Sequence, residues 1–107
     1  KAPRARVVFI DYLTLLPPAG ERSFPLRRPH ADLARHLAVR LEEVTAEAAE
    51  ATGCELVSVA AASRDHHAWS EDPWTVGLTL PTRGTPLAYH PNASGMRAVA
   101  DLVAEHL

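Results

Sequence analysis

Two short apolar runs, separated by one long amphipathic stretch, restrict the folds that are open to this chain. Residues 7–10 read Val-Val-Phe-Ile, and residues 54–62 form a second, mainly apolar run. A run of branched apolar residues without polar alternation is typical of a strand that is covered on both faces, as in a parallel sheet. Two such strands joined by a helix make a right-handed βαβ unit. The sequence therefore predicts an α/β fold.

Residues 32–52 carry the pattern of the connecting helix. Apolar residues recur there every three or four positions, with charges between them: Leu33, Leu37, Leu41, Val44, Ala48 and Ala51. Asp32 favours the helix dipole at the start, and Gly53 is a natural C-terminal stop. A last helix is expected after the cap Asn92. Its predicted apolar face consists of Met96, Val99, Leu102, Val103 and Leu107.

The predicted order is strand, loop, helix, strand, long loop and helix, within one domain that covers residues 1–107. Residues 13–29 and 64–86 contain most of the prolines and glycines and are predicted to be loops. Two strands do not make a stable open sheet, and their outer edges would lack partners. We therefore expect this chain to be incomplete alone and to form part of a larger parallel sheet.

Composition and charge argue against several classes of partner. The formal net charge is −2, so the chain has no basic surplus for nucleic acid or an anionic membrane. No apolar run approaches the roughly 20 residues that span a bilayer, and no signal peptide opens the sequence. The single cysteine, Cys54, excludes an internal disulfide and is interpreted as a small buried hydrophobic residue.

The segment 89–96, Tyr-His-Pro-Asn-Ala-Ser-Gly-Met, holds the main candidate for chemistry. His90 precedes Pro91, which restricts it to an extended backbone, and Asn92, which can cap the next helix. This position corresponds to the carboxyl edge of a parallel sheet, where active sites form. An imidazole titrates near neutral pH and can accept a proton from a serine hydroxyl. The alternative is a surface histidine near a helix start.

The motif, at residues 90–95, is the last of four segments that occur in a fixed order along the chain. The other three are residues 7–17, 57–68 and 73–78. Together they resemble the C-terminal half of secreted actinobacterial SGNH (GDSL-type) hydrolases, a family of esterases and lipases. The His-Pro-Asn-x-x-Gly-Met segment, the Trp-x-x-Gly at 74–77 and the strand that ends near Tyr12 carry the resemblance. It implies a flavodoxin-like sheet, a secreted protein, an ester or lipid substrate, and no cofactor or metal.

By this resemblance, His90 is the general base of a Ser–His dyad or triad. The family usually has an aspartate three residues earlier, to orient the imidazole and stabilise its cation. Leu87 stands at that position, and some members of the group use a backbone carbonyl there instead. We therefore expect the Leu87 carbonyl to orient His90. Asp65 and Asp72 are the alternative carboxylates.

Aromatic residues near the motif are candidates for the substrate pocket, because aromatic rings provide apolar walls. They are Trp69, Trp74 and Tyr89. Anchoring of loops is the alternative role for the two tryptophans. The remaining histidines fit no common zinc spacing, so we expect no metal site.

The nucleophile and oxyanion motifs of the family are not in this sequence. A base without a nucleophile or oxyanion donors should catalyse little, so this chain alone should be inactive. We expect an N-terminal segment or a separate chain to supply the serine. The alternatives are a non-catalytic binding or interaction domain on the same scaffold, and a flavodoxin-like domain without hydrolytic activity.

Overall fold

The computed structural model describes residues 4–78, 84 and 87–107, which fold as an α/β unit around a two-stranded sheet. The elements are β1 (Val8–Ile10), α1 (Arg28–Thr52), β2 (Glu55–Val57), α2 (Val59–Ala62) and α3 (Ala93–His106). The strands are parallel, with Val8 opposite Glu55 and Ile10 opposite Val57. The predicted α/β class and the strand–helix–strand order are therefore confirmed. No helix in the described part of the chain is long and apolar enough to cross a membrane.

The crossover helix α1 starts earlier than predicted, at Arg28 rather than residue 32. Pro29 lies in its first turn, where a missing N–H costs no helical hydrogen bond and the fixed φ suits the helix. The predicted stop is confirmed, because Gly53 takes the left-handed conformation with φ 67°. Its N–H donates to the Glu50 carbonyl at 3.2 Å. A glycine adopts this backbone conformation without a steric penalty.

The second strand is shorter than predicted. It ends at Val57, and the apolar residues that follow form the short helix α2. Ser58 begins this turn of helix, since its hydroxyl accepts a hydrogen bond from the Ala61 N–H. A short apolar run does not distinguish strand from helix by periodicity, and here the alanines favour the helix.

Most of the predicted apolar face of α1 is exposed. Leu33, Leu37 and Leu41 expose 57%, 59% and 58% of their surface, although their spacing is that of an apolar helix face. The buried residues of α1 are instead the small Ala31 and Ala49. The sheet and its neighbours offer too little surface, among the described residues, to cover a helix of 25 residues. We call the row formed by Leu33, Leu37 and Leu41 the leucine face.

The core is small and lies between the sheet and α3. Its buried members are Leu13, Val57 and Val59, and the predicted residues Val99 and Leu102 of α3 pack against them. Two other residues of the predicted α3 face, Met96 and Leu107, are exposed and do not contribute to this core. Cys54, which was predicted to be a small buried hydrophobic residue, is only half-buried.

The carboxyl ends of the two strands are joined by a buried carboxylate. Asp11 is 8% exposed and accepts hydrogen bonds from the Ser58 hydroxyl and the Ala60 N–H, both at 2.9 Å. Thr14, three residues further along, is also bonded to the end of α2, because its N–H donates to the Ser63 hydroxyl at 2.8 Å. The segment that follows β1 is therefore bound to α2 at two points.

We predict that Asp11→Ala lowers the free energy of unfolding by about 2 kcal/mol, because the buried Ala60 N–H loses a charged acceptor. Urea denaturation followed by circular dichroism measures the change. Glu43→Ala is the control, since Glu43 is exposed and pairs with the equally exposed Arg40 within the same helix, so its loss should cost at most about 0.5 kcal/mol. Equal effects of the two substitutions would contradict this role of Asp11.

A second polar cluster joins the segment before β1 and the end of α3 to β2. Glu55 accepts a hydrogen bond from Arg6 Nε at 2.9 Å and lies 2.9 Å from His106 Nε2. The hydrogen bond from Arg6 is the main reason why the pKa of Glu55 falls from 4.5 to about 2. The contact with His106, at the end of α3, lowers this pKa further.

This shift predicts a pH dependence of stability. The folded-state pKa of Glu55 lies below its unfolded value, so its contribution is complete above about pH 4.5 and is lost as the pH falls toward 2. Glu55→Gln should therefore be less stable than the parent chain at pH 7. The difference should shrink progressively between pH 4.5 and pH 2 in urea denaturation. A difference that does not change with pH would mean that the carboxylate charge is unimportant.

Candidate active site

His90 lies at the surface, directly before Pro91 and α3, with its backbone held in a short ladder. Its carbonyl accepts a hydrogen bond from the Val76 N–H at 2.8 Å. The Val76 carbonyl in turn accepts one from the Tyr89 N–H at 2.7 Å. The ladder continues as an antiparallel bridge between Thr75 and Pro91. These bonds fix the backbone of His90 and leave the residue exposed.

Asn92 joins the start of α3 to the same loop. Its Oδ1 accepts a hydrogen bond from the Gly95 N–H at 2.8 Å, which confirms the predicted cap. Its Nδ2 donates to the Pro73 carbonyl at 2.7 Å, and its N–H donates to the Trp74 carbonyl at 3.0 Å. The Asn92 side chain therefore caps the helix and attaches it to Pro73, and the Asn92 backbone attaches it to Trp74.

Gly95 allows α3 to approach this loop more closely than any side chain would permit. A Cβ added at Gly95 would lie 2.0 Å from the Trp74 carbonyl oxygen and 2.9 Å from the Trp74 carbonyl carbon. Both neighbours are backbone atoms, which cannot move away as a flexible side chain can. This close approach explains the glycine of the His-Pro-Asn-x-x-Gly segment in physical terms.

Tyr89 has an unusual backbone for a residue with a side chain. Its φ is 62°, in the left-handed region, which costs about 1 kcal/mol for an L-residue. Its carbonyl accepts a hydrogen bond from the Tyr12 hydroxyl at 2.9 Å. This role of Tyr12 was not predicted from the sequence, where the one signal was its position just after the apolar run of β1. Burial raises the pKa of the Tyr89 phenol.

The three predicted pocket residues lie in two places. The rings of Trp69 and Tyr89 come together, with centroids 6.3 Å apart. Trp74 instead stacks on His66 at 4.0 Å with nearly parallel rings, and it packs against the core. Trp69 Nε1 donates to the Phe24 carbonyl at 2.7 Å. Both indoles thus make the contacts of loop anchors, while a role in binding substrate stays a prediction.

The imidazole of His90 forms no hydrogen bond to another residue that the structure describes, and no carboxylate of these residues lies within 4.0 Å of it. The Leu87 carbonyl accepts from the backbone N–H of His90 at 3.3 Å. Asp72 is placed against His66, with Oδ2 3.4 Å from Nδ1. Orientation of the His90 ring by the Leu87 carbonyl therefore stays a prediction, and neither Asp65 nor Asp72 replaces it.

The adjacent histidines His66 and His67 have separate structural roles. His66 Nδ1 lies 2.8 Å from the Asp72 carbonyl, beneath Trp74. His67 Nδ1 accepts a hydrogen bond from the Trp69 N–H at 3.2 Å, and burial lowers the pKa of His67. Within residues 4–78, 84 and 87–107, no group of three or more His, Cys, Asp or Glu side chains is placed to hold a metal ion.

An apolar groove of about 660 Å³ runs between α1 and the segment that follows β1. Tyr12, which bonds to the residue before His90, lies at the wall of this groove. The leucine face contributes Leu37 and Leu41 to the opposite wall. The groove is thus connected through one side chain to the candidate base.

Comparisons of the chain with protein-family models, curated proteins and solved structures found no match.

We predict that Gly95→Ala lowers the free energy of unfolding by about 3 kcal/mol or more, because the added methyl group overlaps the Trp74 backbone. The matched control is Ser94→Ala, an exposed neighbour in the same helical turn, whose effect should stay within about 0.5 kcal/mol. Urea denaturation of both variants tests this. If the two variants were equally stable, the close packing of α3 on Trp74 would be disproved.

Proposed function

We propose that this chain is part of a carboxylic ester hydrolase of the SGNH type, an esterase or lipase, with His90 as the general base. The observation that carries the proposal is the position of His90. It is exposed, its backbone is fixed by Val76, and Tyr12 connects it to the carboxyl end of β1. Active sites of open α/β sheets form at this end of the strands.

The proposed reaction has two steps. A serine hydroxyl attacks the ester carbonyl while His90 takes its proton, and the alcohol leaves after His90 returns that proton to it. Water then attacks the acyl-serine while His90 takes a proton from it, and His90 returns that proton to the serine oxygen as the carboxylic acid leaves. By the resemblance to SGNH hydrolases, these steps would need neither a metal nor a cofactor.

The serine and the oxyanion donors would come from a companion segment or chain. Two observations support this companion. The leucine face is exposed, and exposed apolar patches mark interaction surfaces. In the described part of the chain, β1 and β2 pair only with each other, so each strand keeps one open edge. Further strands on these edges would complete a flavodoxin-like sheet.

His90 would act in a Ser–His dyad rather than in a triad. A neutral carbonyl, for which Leu87 is the candidate, selects the tautomer of the imidazole but stabilises its cation less than a carboxylate does. Trp69 and Tyr89, whose rings lie together, would border the substrate. By the same resemblance the complete enzyme would be secreted and would act on an ester or lipid.

A non-catalytic binding domain on the same scaffold is the second candidate. The lack of a carboxylate against His90, among the described residues, favours it, because such a domain needs no catalytic support. The exposed leucine face suits a protein partner as well as a catalytic companion.

The test uses the chain together with the polypeptide that co-purifies with it. We expect the complex, and neither part alone, to hydrolyse short-chain p-nitrophenyl esters and to react with a serine-directed fluorophosphonate on the companion. His90→Ala should lower kcat/KM by about 1000-fold.

His36→Ala is the control, because His36 is an exposed histidine on α1 and should leave the rate unchanged. Full activity of a folded His90→Ala complex would exclude His90 as the base. A stable complex without esterase activity would instead favour the binding domain.

A further inference from the structure

We propose that Tyr12 is a positioning residue for His90, and that it acts by holding the carbonyl of Tyr89. The relevant contact is the hydrogen bond from the Tyr12 hydroxyl to the Tyr89 carbonyl, at 2.9 Å. The hold of Tyr12 on this backbone does not depend on the proposed function. Its catalytic consequence rests on the proposed function of His90.

The geometry of the peptide bond explains how Tyr12 acts on His90. The Tyr89 carbonyl and the His90 N–H belong to one planar peptide unit. A change in ψ of Tyr89 or in φ of His90 that the other torsion does not compensate moves the Cβ of His90. The bond from Tyr12 holds one side of the plane at 2.9 Å, whereas the Leu87 carbonyl holds the other side at 3.3 Å. Tyr12 therefore provides the shorter of these two restraints.

The left-handed backbone of Tyr89 makes such a restraint necessary. Its φ of 62° is a conformation that an L-residue leaves unless surrounding contacts hold it. The bond from the Tyr89 N–H to the Val76 carbonyl holds the peptide before Tyr89. The Tyr12 hydroxyl holds the peptide after it. Together the two bonds define both torsions of the residue that precedes the candidate base.

The backbone of Tyr12 is itself held in place, so its hydroxyl donates to Tyr89 from a fixed point. It follows Asp11, whose carboxylate is bonded to Ser58 and to the Ala60 N–H. The backbone of Tyr12 is thus fixed at the carboxyl end of β1, 77 residues away from Tyr89 in sequence. The side chain is 45% exposed, so its hydroxyl is not required to fill a cavity in the core.

Tyr12→Phe separates positioning from packing. The variant keeps the ring at the wall of the groove and removes only the hydroxyl. The control is Thr45→Val, which also removes one bond from a hydroxyl to a carbonyl, but on α1 at the Leu41 carbonyl. Both proteins should fold, and their melting temperatures should be similar.

Nuclear magnetic resonance of isotope-labelled chain gives a readout that does not depend on activity. In Tyr12→Phe we expect the HN–Hα coupling of Tyr89 to change as its φ becomes averaged, and the His90 ring resonances to shift or broaden. The resonances of His66 and His106, which have their own partners, should stay as they are. Thr45→Val should leave all of them unchanged. An unchanged Tyr89 coupling and His90 ring in Tyr12→Phe would overturn the inference.

In the active complex, Tyr12→Phe should lower kcat by about 10-fold with KM unchanged, because misplacement of the base affects the chemical step. A rise in KM alone would show that Tyr12 serves the groove and not His90. The two proposals fail separately. If His90→Ala kept full activity while Tyr12→Phe altered the His90 resonances, the proposed function would be wrong and the positioning role of Tyr12 would remain.

Discussion

The contact between residues 73–76 and the start of α3 is the constraint on which the site depends. Gly95 lets the helix pass against the Trp74 carbonyl, and only at this distance can Asn92 bond to both Pro73 and Trp74. The Val76 ladder then fixes His90 between the loop and the helix. These bonds are made by backbone groups, including the His90 carbonyl, and by one amide side chain, so none of them uses the imidazole. A surface residue is held in position by a rigid surrounding, which is the arrangement that a general base requires.

Two neighbouring residues at the end of β1, Asp11 and Tyr12, connect this site to the sheet. Asp11 points inward and accepts two hydrogen bonds from the start of α2. Tyr12 points outward and donates to Tyr89. Opposite directions of successive side chains follow from the geometry of extended backbone. Asp11 therefore links the carboxyl end of β1 to α2, and Tyr12 links it to the backbone beside the candidate base.

The exposed leucine face and the open strand edges are the surfaces that the proposed companion polypeptide would cover. Leu33, Leu37 and Leu41 have the spacing of a buried helix face, yet the described residues leave more than half of each side chain exposed. Burial of such a face against another polypeptide would be favourable by about 25 cal/mol for each Å² of apolar surface removed from water. A companion that supplies the serine would thus also supply the packing that α1 lacks.

Sequence alone determined the features of this protein that depend on neighbours in the chain. The strand–helix–strand order, the stop at Gly53 and the cap Asn92 follow from local periodicity and from the backbone preferences of single residues. Local signals also placed His90 next to a helix start. The start of α1 at Arg28 and the start of α2 after Ser58 also agree with local signals, namely Pro29 and the Ser58 cap. Tertiary structure decided the exposure of the leucine face and the bond from Tyr12 to Tyr89. These features depend on which distant residues meet, and on how much partner surface each helix finds. No local pattern contains that information, because hydrogen bonding and burial between distant segments arise only when the chain has folded.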